Sequence, residues 1–395
     1  MHGTIVGVKT IAVIFGSRST EHDVSIITAI ASVLKPLELT REYQVEAVYI
    51  AKDGSWFWDD KLKDINLFQS GDIEEFMRKA SKVQLSLDNG LTLVKSSNFA
   101  GRKMYKKIDM VFPATHGTHG EDGELMGILE MANVPYIGCG VAASAVAMDK
   151  VLAKQVTEGA GLPSTPWTWF YTQDLVHKHG EILKEIDKLK YPLFVKPAHL
   201  GSSIGITRVT EKAQLMNALE VAGHYDDKVI VEQAVDNLIE VTLPIMGNED
   251  PKPALLEQPQ LKAEDFFDFD TKYMQGGKKG GKKGGGEKGA QGYSIIPADI
   301  PKDLYEKAEK LGLDVYKTVG CEGIARVDML IDGKTKQVFF NEINPLPGGL
   351  YAHNWNKAGV SNVELVQSLV HYAQARWDAK QKVATAFATN YLKQF

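Results

Sequence analysis

Two short segments constrain this chain more than any others. Arg326-Val327-Asp328 and Glu342-Ile343-Asn344 each lie inside an apolar, β-branched or aromatic run, residues 323–331 and 338–345. Such runs read as buried strands. Alternation along a strand sends residues i and i+2 to one face, so Arg326 and Asp328 share a face, as do Glu342 and Asn344. Laid side by side, the two strands bring a guanidinium, two carboxylates and an amide oxygen to one place. An all-oxygen Asp/Glu/Asn set suits Mg²⁺, which favours hard ligands and bridges phosphate oxygens. An adjacent Arg suits a site where negative charge builds up. A single strand of this kind is as well explained by a buried ion pair. Four matched groups on two strands favour a site.

The rest of the chain has the means to support such a site. Its 395 residues are enough for two or three domains, and 44% hydrophobic residues are enough for sizeable cores. A net charge of −5 gives no electrostatic case for nucleic acid. Cys139 and Cys321 have no metal-ligand spacing and point to a reducing, cytoplasmic setting. No apolar run reaches membrane-spanning length. The apolar stretch 10–15 is short and lacks a basic leader, so it reads as a first strand rather than a signal peptide. The expected substrate is soluble.

That first strand runs into Gly16-Ser17-Arg18-Ser19-Thr20-Glu21-His22. A helical pattern follows, with Ile27, Ile30, Val33 and Leu34 on one face and an end at Pro36. Strand, polar turn and helix open a parallel α/β layer, continued by strands at 45–50 and 110–112 and by alternating elements to about Cys139. A second segment predicts a helix at 149–159, a strand at 167–171, a helix at 181–189 and strands at 193–196 and 206–209. Between the last two lies Lys196-Pro197-Ala198-His199-Leu200-Gly201-Ser202-Ser203-Ile204-Gly205. This reads as a hairpin whose tip exposes N–H groups. Strands at 229–232 and 240–246 and an amphipathic helix at 363–377 belong to the remainder. Borders near 147 and 228 define domains 1–147, 148–228 and 229–395. The Gly/Lys-rich tract 276–292 cannot pack a core and predicts a mobile lid loop near 272–293.

Three patterns are decoys. The stretch 276–283 nearly spells a phosphate-binding loop, but Lys283 stands where Ser or Thr is needed and no buried strand precedes it. Gly138-Cys139-Gly140-Val141-Ala142-Ala143 fits a dinucleotide fingerprint, yet more simply marks a close strand-to-helix turn. His116 and His119, three apart in a loop, are poor evidence for a metal.

With these residues assembled, the chain resembles the D-alanine–D-alanine ligase family of ATP-grasp enzymes over nearly its whole length. The matching segments are Glu21-His22-Asp23-Val24-Ser25, His116-Gly117 through Gly120-Glu121-Asp122-Gly123, Met148-Asp149-Lys150, Lys196-Pro197 through Ser202-Ser203, and Lys272-Tyr273. Arg326-x-Asp328, Glu342-x-Asn344 and Pro347-Gly348 complete them. The resemblance implies three α/β domains with ATP gripped between the central and C-terminal sheets. It also implies ATP-driven formation of D-alanyl-D-alanine for peptidoglycan precursors. D-alanine and ATP are then the small-molecule partners, with no nucleic acid or membrane, and a homodimer is common in the family.

Residue roles follow from the same resemblance. Lys150, Lys196 and Lys272 are phosphate-binding lysines, and the backbone at Ser202-Ser203 closes over the phosphates. Asp328, Glu342 and Asn344 hold two Mg²⁺ or Mn²⁺ ions. Arg326 and the Gly348 N–H stabilise an oxyanion. Glu21 holds the first substrate's ammonium in a set with Ser202 and Tyr273, and His116 belongs to the substrate loop. Adenine falls to Glu232, with Gln233 and Val235 using backbone groups.

Two departures stand out. The ribose-binding Glu is replaced by Leu238, with Glu240 two residues on as its substitute. A Ser-Leu pair that grips the second D-alanine's carboxylate is replaced by His353-Asn354, which makes the second substrate an open question. Tyr273, where lactate-accepting relatives often have Phe, favours an amine acceptor. The alternatives are an ATP-grasp ligase with another acceptor and a nucleotide-binding regulator without turnover. The intact Arg, carboxylate and lysine set argues against the last.

Overall fold

The computed structural model describes residues 8–96, 102–259, 294–384 and 391–394. Lys272, Tyr273 and the expected lid at 272–293 lie outside the described residues.

Three four-stranded sheets organise the described chain. The first runs Trp56–Trp58, Tyr43–Ile50, Lys9–Gly16, Met110–Pro113. Its inner pairings are parallel. Lys9–Gly16 is buried from Thr10 onward, as a strand covered on both faces must be. The helix after it departs from expectation. Ile27 is 56% exposed, and Ile26 instead joins Ile30, Val33, Leu34 and Leu37 in the core. Nor does the helix stop at Pro36. The Lys35 N–H bonds to Ile30 O in a π-type turn over Thr28–Leu34, and helix continues through Lys35–Thr40. The wider turn loosens the ladder just ahead of the proline, whose ring would otherwise press on the preceding carbonyl. A further difference is an antiparallel meander, Val83–Ser86, Leu91–Ser96 and Lys103–Ile108, where alternation with helices was expected. Its first turn carries Asn89 and Gly90 at positive φ, an Asn-Gly hairpin signal.

The second sheet runs Thr207–Val209, Leu193–Pro197, Lys228–Gln233, Trp167–Tyr171, all antiparallel. The third runs Lys252–Pro253, Leu238–Gly247, Gly323–Asp332, Val338–Asn344, also antiparallel. The amphipathic helix Lys302–Val319 packs Leu304, Ala308, Leu311 and Val315 on the third sheet, in a cluster that also takes in Ala143, Ala147 and Ala153. The last long helix, Asn362–Lys380, returns to the first core, where Leu365, Val366 and Leu369 share a cluster with Ile11, Phe15 and Leu34. Side chains of the second sheet meet strand 338–344 directly: Lys196 Nζ lies 3.4 Å from Asn341 Oδ1. The cleft between these two sheets is therefore lined by the charged residues singled out above.

Candidate active site

The site is built from strand register. In the antiparallel pair Gly323–Asp332 and Val338–Asn344, Arg326 lies opposite Asn344 and Asp328 opposite Glu342, with a register shift just beyond Asp328. Directly opposed residues project to the same face. All four groups thus stand together, held by backbone hydrogen bonds rather than by loop conformation. On the other side of the Arg326 strand, Thr242 pairs with Asp328 and donates Oγ1–H to Asp328 Oδ1 at 2.7 Å. Glu240, two residues earlier in that strand, shares this face.

Arg326 Nε donates to Asp328 Oδ1 at 2.8 Å, and its Nη2 donates to Oδ2. The guanidinium also lies 5.4 Å from the Tyr351 ring centroid. Burial works against the Arg326 charge, but the Asp328 carboxylate more than restores it and holds the group well above its ordinary value. The donor set fits a hard divalent cation: a carboxylate retains acceptor lone pairs beyond those Arg326 and Thr242 use. The buried Asn344 Nδ2 has no hydrogen-bond partner, so nothing pins that amide away from presenting its oxygen. Lys150 Nζ is 3.7 Å from Glu342 Oε2 and donates to Leu200 O at 2.6 Å.

The hairpin tip from the second sheet reaches the first domain. Ser202 and Ser203 both have positive φ, 53° and 60°. Two successive left-handed residues are costly away from glycine and persist only where surroundings impose them. Here Ser202 Oγ donates to Glu21 Oε1. The Glu21 carboxylate is 9% exposed and lies against two glycines: a Cβ at Gly201 would sit 2.8 Å from Glu21 Oε2, and one at Gly117 3.0 Å from the same oxygen. At the loop's root, His199 Nδ1 contacts Asp226 Oδ1 at 2.9 Å and Nε2 contacts Asp149 Oδ2 at 3.3 Å. Hydrogen bonds donated by its ring to the Asp149 and Asp226 carboxylates push the His199 pKa up to about 9.

His116 is buried against Thr28, its Nε2 2.9 Å from Thr28 Oγ1. Burial lowers its pKa to about 4, so it is neutral at pH 7. The same Thr28 Oγ1 accepts from Gly349 N at 2.9 Å. Gly348 opens the turn Gly348–Tyr351 and, among the residues near it, only Val24 comes within 4 Å of an added Cβ. Gly349, Leu350 and Tyr351 then have φ of 59°, 55° and 53°.

Beyond that turn the two acceptor-side residues part company. Asn354 is fully buried; its Nδ2 donates to Leu255 O at 2.9 Å and its Oδ1 accepts from Leu255 N at 3.0 Å. Both ends of that amide are spent inside the fold, which leaves it nothing with which to grip a substrate carboxylate. His353 is better placed: partly exposed, it meets the buried Glu257 Oε2 at 3.0 Å and lies 4.6 Å from the Tyr351 ring.

At the other end of the cleft, Glu232 is buried between Lys154, 2.7 Å from its Oε1, and Lys196, ion-paired to its Oε2. Burial opposes its charge, yet the two ammoniums hold its pKa down to about 2. Gln233 N donates to Pro166 O at 2.9 Å, so only its carbonyl remains for a ligand. Val235 follows the end of that strand and is partly exposed.

Four participants were not singled out from sequence. Thr242 orients Asp328, and Glu257 partners His353. Glu121 accepts from Gly117 N at 2.9 Å, while its Oε2, 4.0 Å from His116 Nδ1, is buried without a hydrogen-bond partner. Burial and the nearby Glu21 raise the Glu121 carboxyl well above its usual range. Lys154 follows Lys150 by one helical turn, on the face that buries Val151 and Thr157. A lysine on an apolar helical face was a readable signal for the last of these.

Comparison with known proteins identifies the family. The model described as D-ala D-ala ligase N-terminus matches residues 10–139, and that described as D-ala D-ala ligase C-terminus matches residues 156–371. The chain belongs to the D-Ala–D-Ala ligase family. It is 35% identical to a D-alanine–D-alanine ligase of Acetivibrio thermocellus, over 95% of this chain and 98% of that protein. Among solved structures, the D-alanine–D-alanine ligase from Coxiella burnetii superposes with a TM-score of 0.74 at 28% identity, covering 95% of this chain and 97% of that one. The VanG D-Ala:D-Ser ligase from Enterococcus faecalis superposes with a TM-score of 0.75 at 29% identity, covering 92% and 99%. The fold is therefore that of the ATP-grasp D-Ala–D-Ala ligase family. Among the described residues, no helix is long and apolar enough to cross a membrane.

Proposed function

We propose that the protein joins two D-alanines into D-alanyl-D-alanine, cleaving ATP to ADP and phosphate, for peptidoglycan precursors. Residues 1–147, 148–228 and 229–395 are taken as its working domains, with the cytoplasm as its place and a homodimer as its assembly. The observation that carries the reading is the register that sets Arg326 and Asp328 opposite Asn344 and Glu342, with Lys150 close by.

A carboxylate is a poor electrophile, so it must be activated before an amine can attack it. Glu21, buried and fixed by Ser202, receives the first D-alanine's ammonium. That substrate's carboxylate attacks the γ-phosphate, breaking the bond to ADP and forming an acyl phosphate. The second D-alanine's neutral amine then attacks the acyl carbon, an oxyanion forms, and the amide closes as the C–O bond to phosphate breaks and the departing phosphate takes the nitrogen's surplus proton. Arg326, locked on Asp328, and the Gly348 N–H stand ready for the oxyanion. Lys150 and Lys196 offset moving phosphate charge, joined by Lys272, while Tyr273 belongs to the set formed with Glu21 and Ser202. Asp328, Glu342 and Asn344 would hold Mg²⁺ or Mn²⁺, which would neutralise the β- and γ-phosphate oxygens. Glu232, Gln233 and Val235 meet adenine, and Glu240, facing the same cleft, meets ribose. His116, held neutral, keeps the substrate loop on Thr28.

A second reading has its own observation. With Asn354 spent on Leu255 and His353 paired with Glu257, the acceptor end lacks the Ser-Leu pair of the family pattern. A D-alanine donor with a different acceptor is the consequence, and the likeness to a D-Ala:D-Ser ligase makes D-serine the first alternative to try. Incubation with ATP, Mg²⁺ and D-alanine, following phosphate release and product mass, tests both. D-alanyl-D-alanine from D-alanine alone supports the first reading. Phosphate release that requires another amino acid supports the second. Failure of every mixture overturns both.

A further inference from the structure

Glu232 has two ammonium partners, and they are not equivalent. Lys196 ends a strand at the cleft, and the proposed function sends it to phosphate. Lys154 is 1% exposed, 2.7 Å from Glu232 Oε1 and 5.9 Å from the Phe340 ring centroid. Its Nζ donates to Ser164 Oγ at 2.9 Å and to Phe340 O at 3.4 Å. These contacts come from the loop before the second sheet and from the strand carrying Glu342, so the ammonium cannot move without disturbing both. Lys154 therefore stays on Glu232 Oε1, whereas Oε2 is held by Lys196. Once Lys196 turns to phosphate, Oε2 is the acceptor position a ligand N–H can fill.

We infer that Lys154 is a positioning residue for adenine recognition: the permanent counter-ion that keeps Glu232 ionised and fixed to accept from the exocyclic amine while Lys196 turns to phosphate. The inference rests on the proposed role of Glu232 at adenine. Two features support it. Lys150 and Lys154 stand one turn apart on a single helix, so one element serves the phosphate end and the base end together. And a buried carboxylate deprived of its counter-ion takes up a proton, which would place an O–H against the amine and erase the selectivity.

The test compares ADP with purine riboside 5′-diphosphate, which carries hydrogen in place of the amine, by titration calorimetry on the full-length protein with Mg²⁺. The unmodified protein is expected to favour ADP by about tenfold or more, as for a hydrogen bond to a charged acceptor. Lys154→Met is expected to weaken ADP about tenfold and the analogue little, bringing the ratio towards one. Should that variant fail to fold, Glu232→Gln is compared with Lys154→Met/Glu232→Gln, in which neither member of the Lys154–Glu232 pair keeps a charge. Adding the lysine change should then leave the ratio unaltered. Equal weakening of both nucleotides by Lys154→Met, undiminished ADP binding, or a further drop in the double variant overturns the inference. Absence of discrimination in the unmodified protein overturns the adenine role of Glu232 itself, and the inference with it.

Discussion

The end of the cleft proposed for phosphate and the end proposed for the acceptor are built on opposite plans. At the first, Arg326, Asp328, Glu342 and Asn344 are delivered by β-ladder register, and side chains add only refinement. At the second, Gly349, Leu350 and Tyr351 turn the chain through three left-handed residues, and buried side chains hold it: Thr28 on His116 and on Gly349, Asn354 on Leu255, Glu257 on His353. Charges placed by a ladder cannot drift without breaking the sheet. A turn held by side chains can be re-cut one contact at a time, which is where a change of acceptor is cheapest.

This contrast can be broken experimentally. The largest effect belongs to Glu342→Gln, which removes a proposed metal-binding carboxylate from the ladder while leaving its backbone intact; turnover should fall by about 10²–10³-fold or more with the thermal midpoint little changed. Full activity would contradict the metal role. Next is the pH dependence of His116. Its folded pKa of about 4 lies below the ordinary 6.5, so the unfolded chain binds the extra proton between those values. Stability is therefore complete above about pH 6.5 and declines as pH falls towards 4, by about 3 kcal/mol for this group. Denaturant unfolding across that window should show a flatter slope in His116→Gln; identical slopes would mean that the imidazole is not held neutral.

Asn354→Leu sharpens the contrast. It strands the Leu255 N–H and C=O and should lower unfolding free energy by about 2–3 kcal/mol. A variant of normal stability with a raised acceptor KM would return Asn354 to substrate binding. The smallest effect is for His353→Ala, expected to raise the acceptor's KM about tenfold with kcat nearly unchanged. If KM does not move, the carboxylate is held elsewhere.

The same division explains what was legible in the chain. Period-two alternation and buried strand composition put Arg326, Asp328, Glu342 and Asn344 on matching faces, and the ladder pairs them. Glu240 followed from the same alternation. Ile27 was misplaced because Ile26 and Ile27 are both apolar, and a helical pattern does not reveal a π-type turn ahead of a proline. Glu257 and Thr242 were invisible, since their partners His353 and Asp328 lie 96 and 86 residues away. No local pattern carries such pairings. The burial of Asn354 was equally hidden: an amide reads the same whether it faces a substrate or a neighbouring backbone.

The two glycines against Glu21 carry one more consequence. Gly201 comes from the hairpin tip of the second sheet and Gly117 from the loop after strand Met110–Pro113, and each lies within a methyl's reach of the same carboxylate oxygen. The loop can lie down on Glu21 only because position 201 is bare. An alanine there would act as a doorstop, propping the loop off its seat and pushing aside the Glu21 carboxylate.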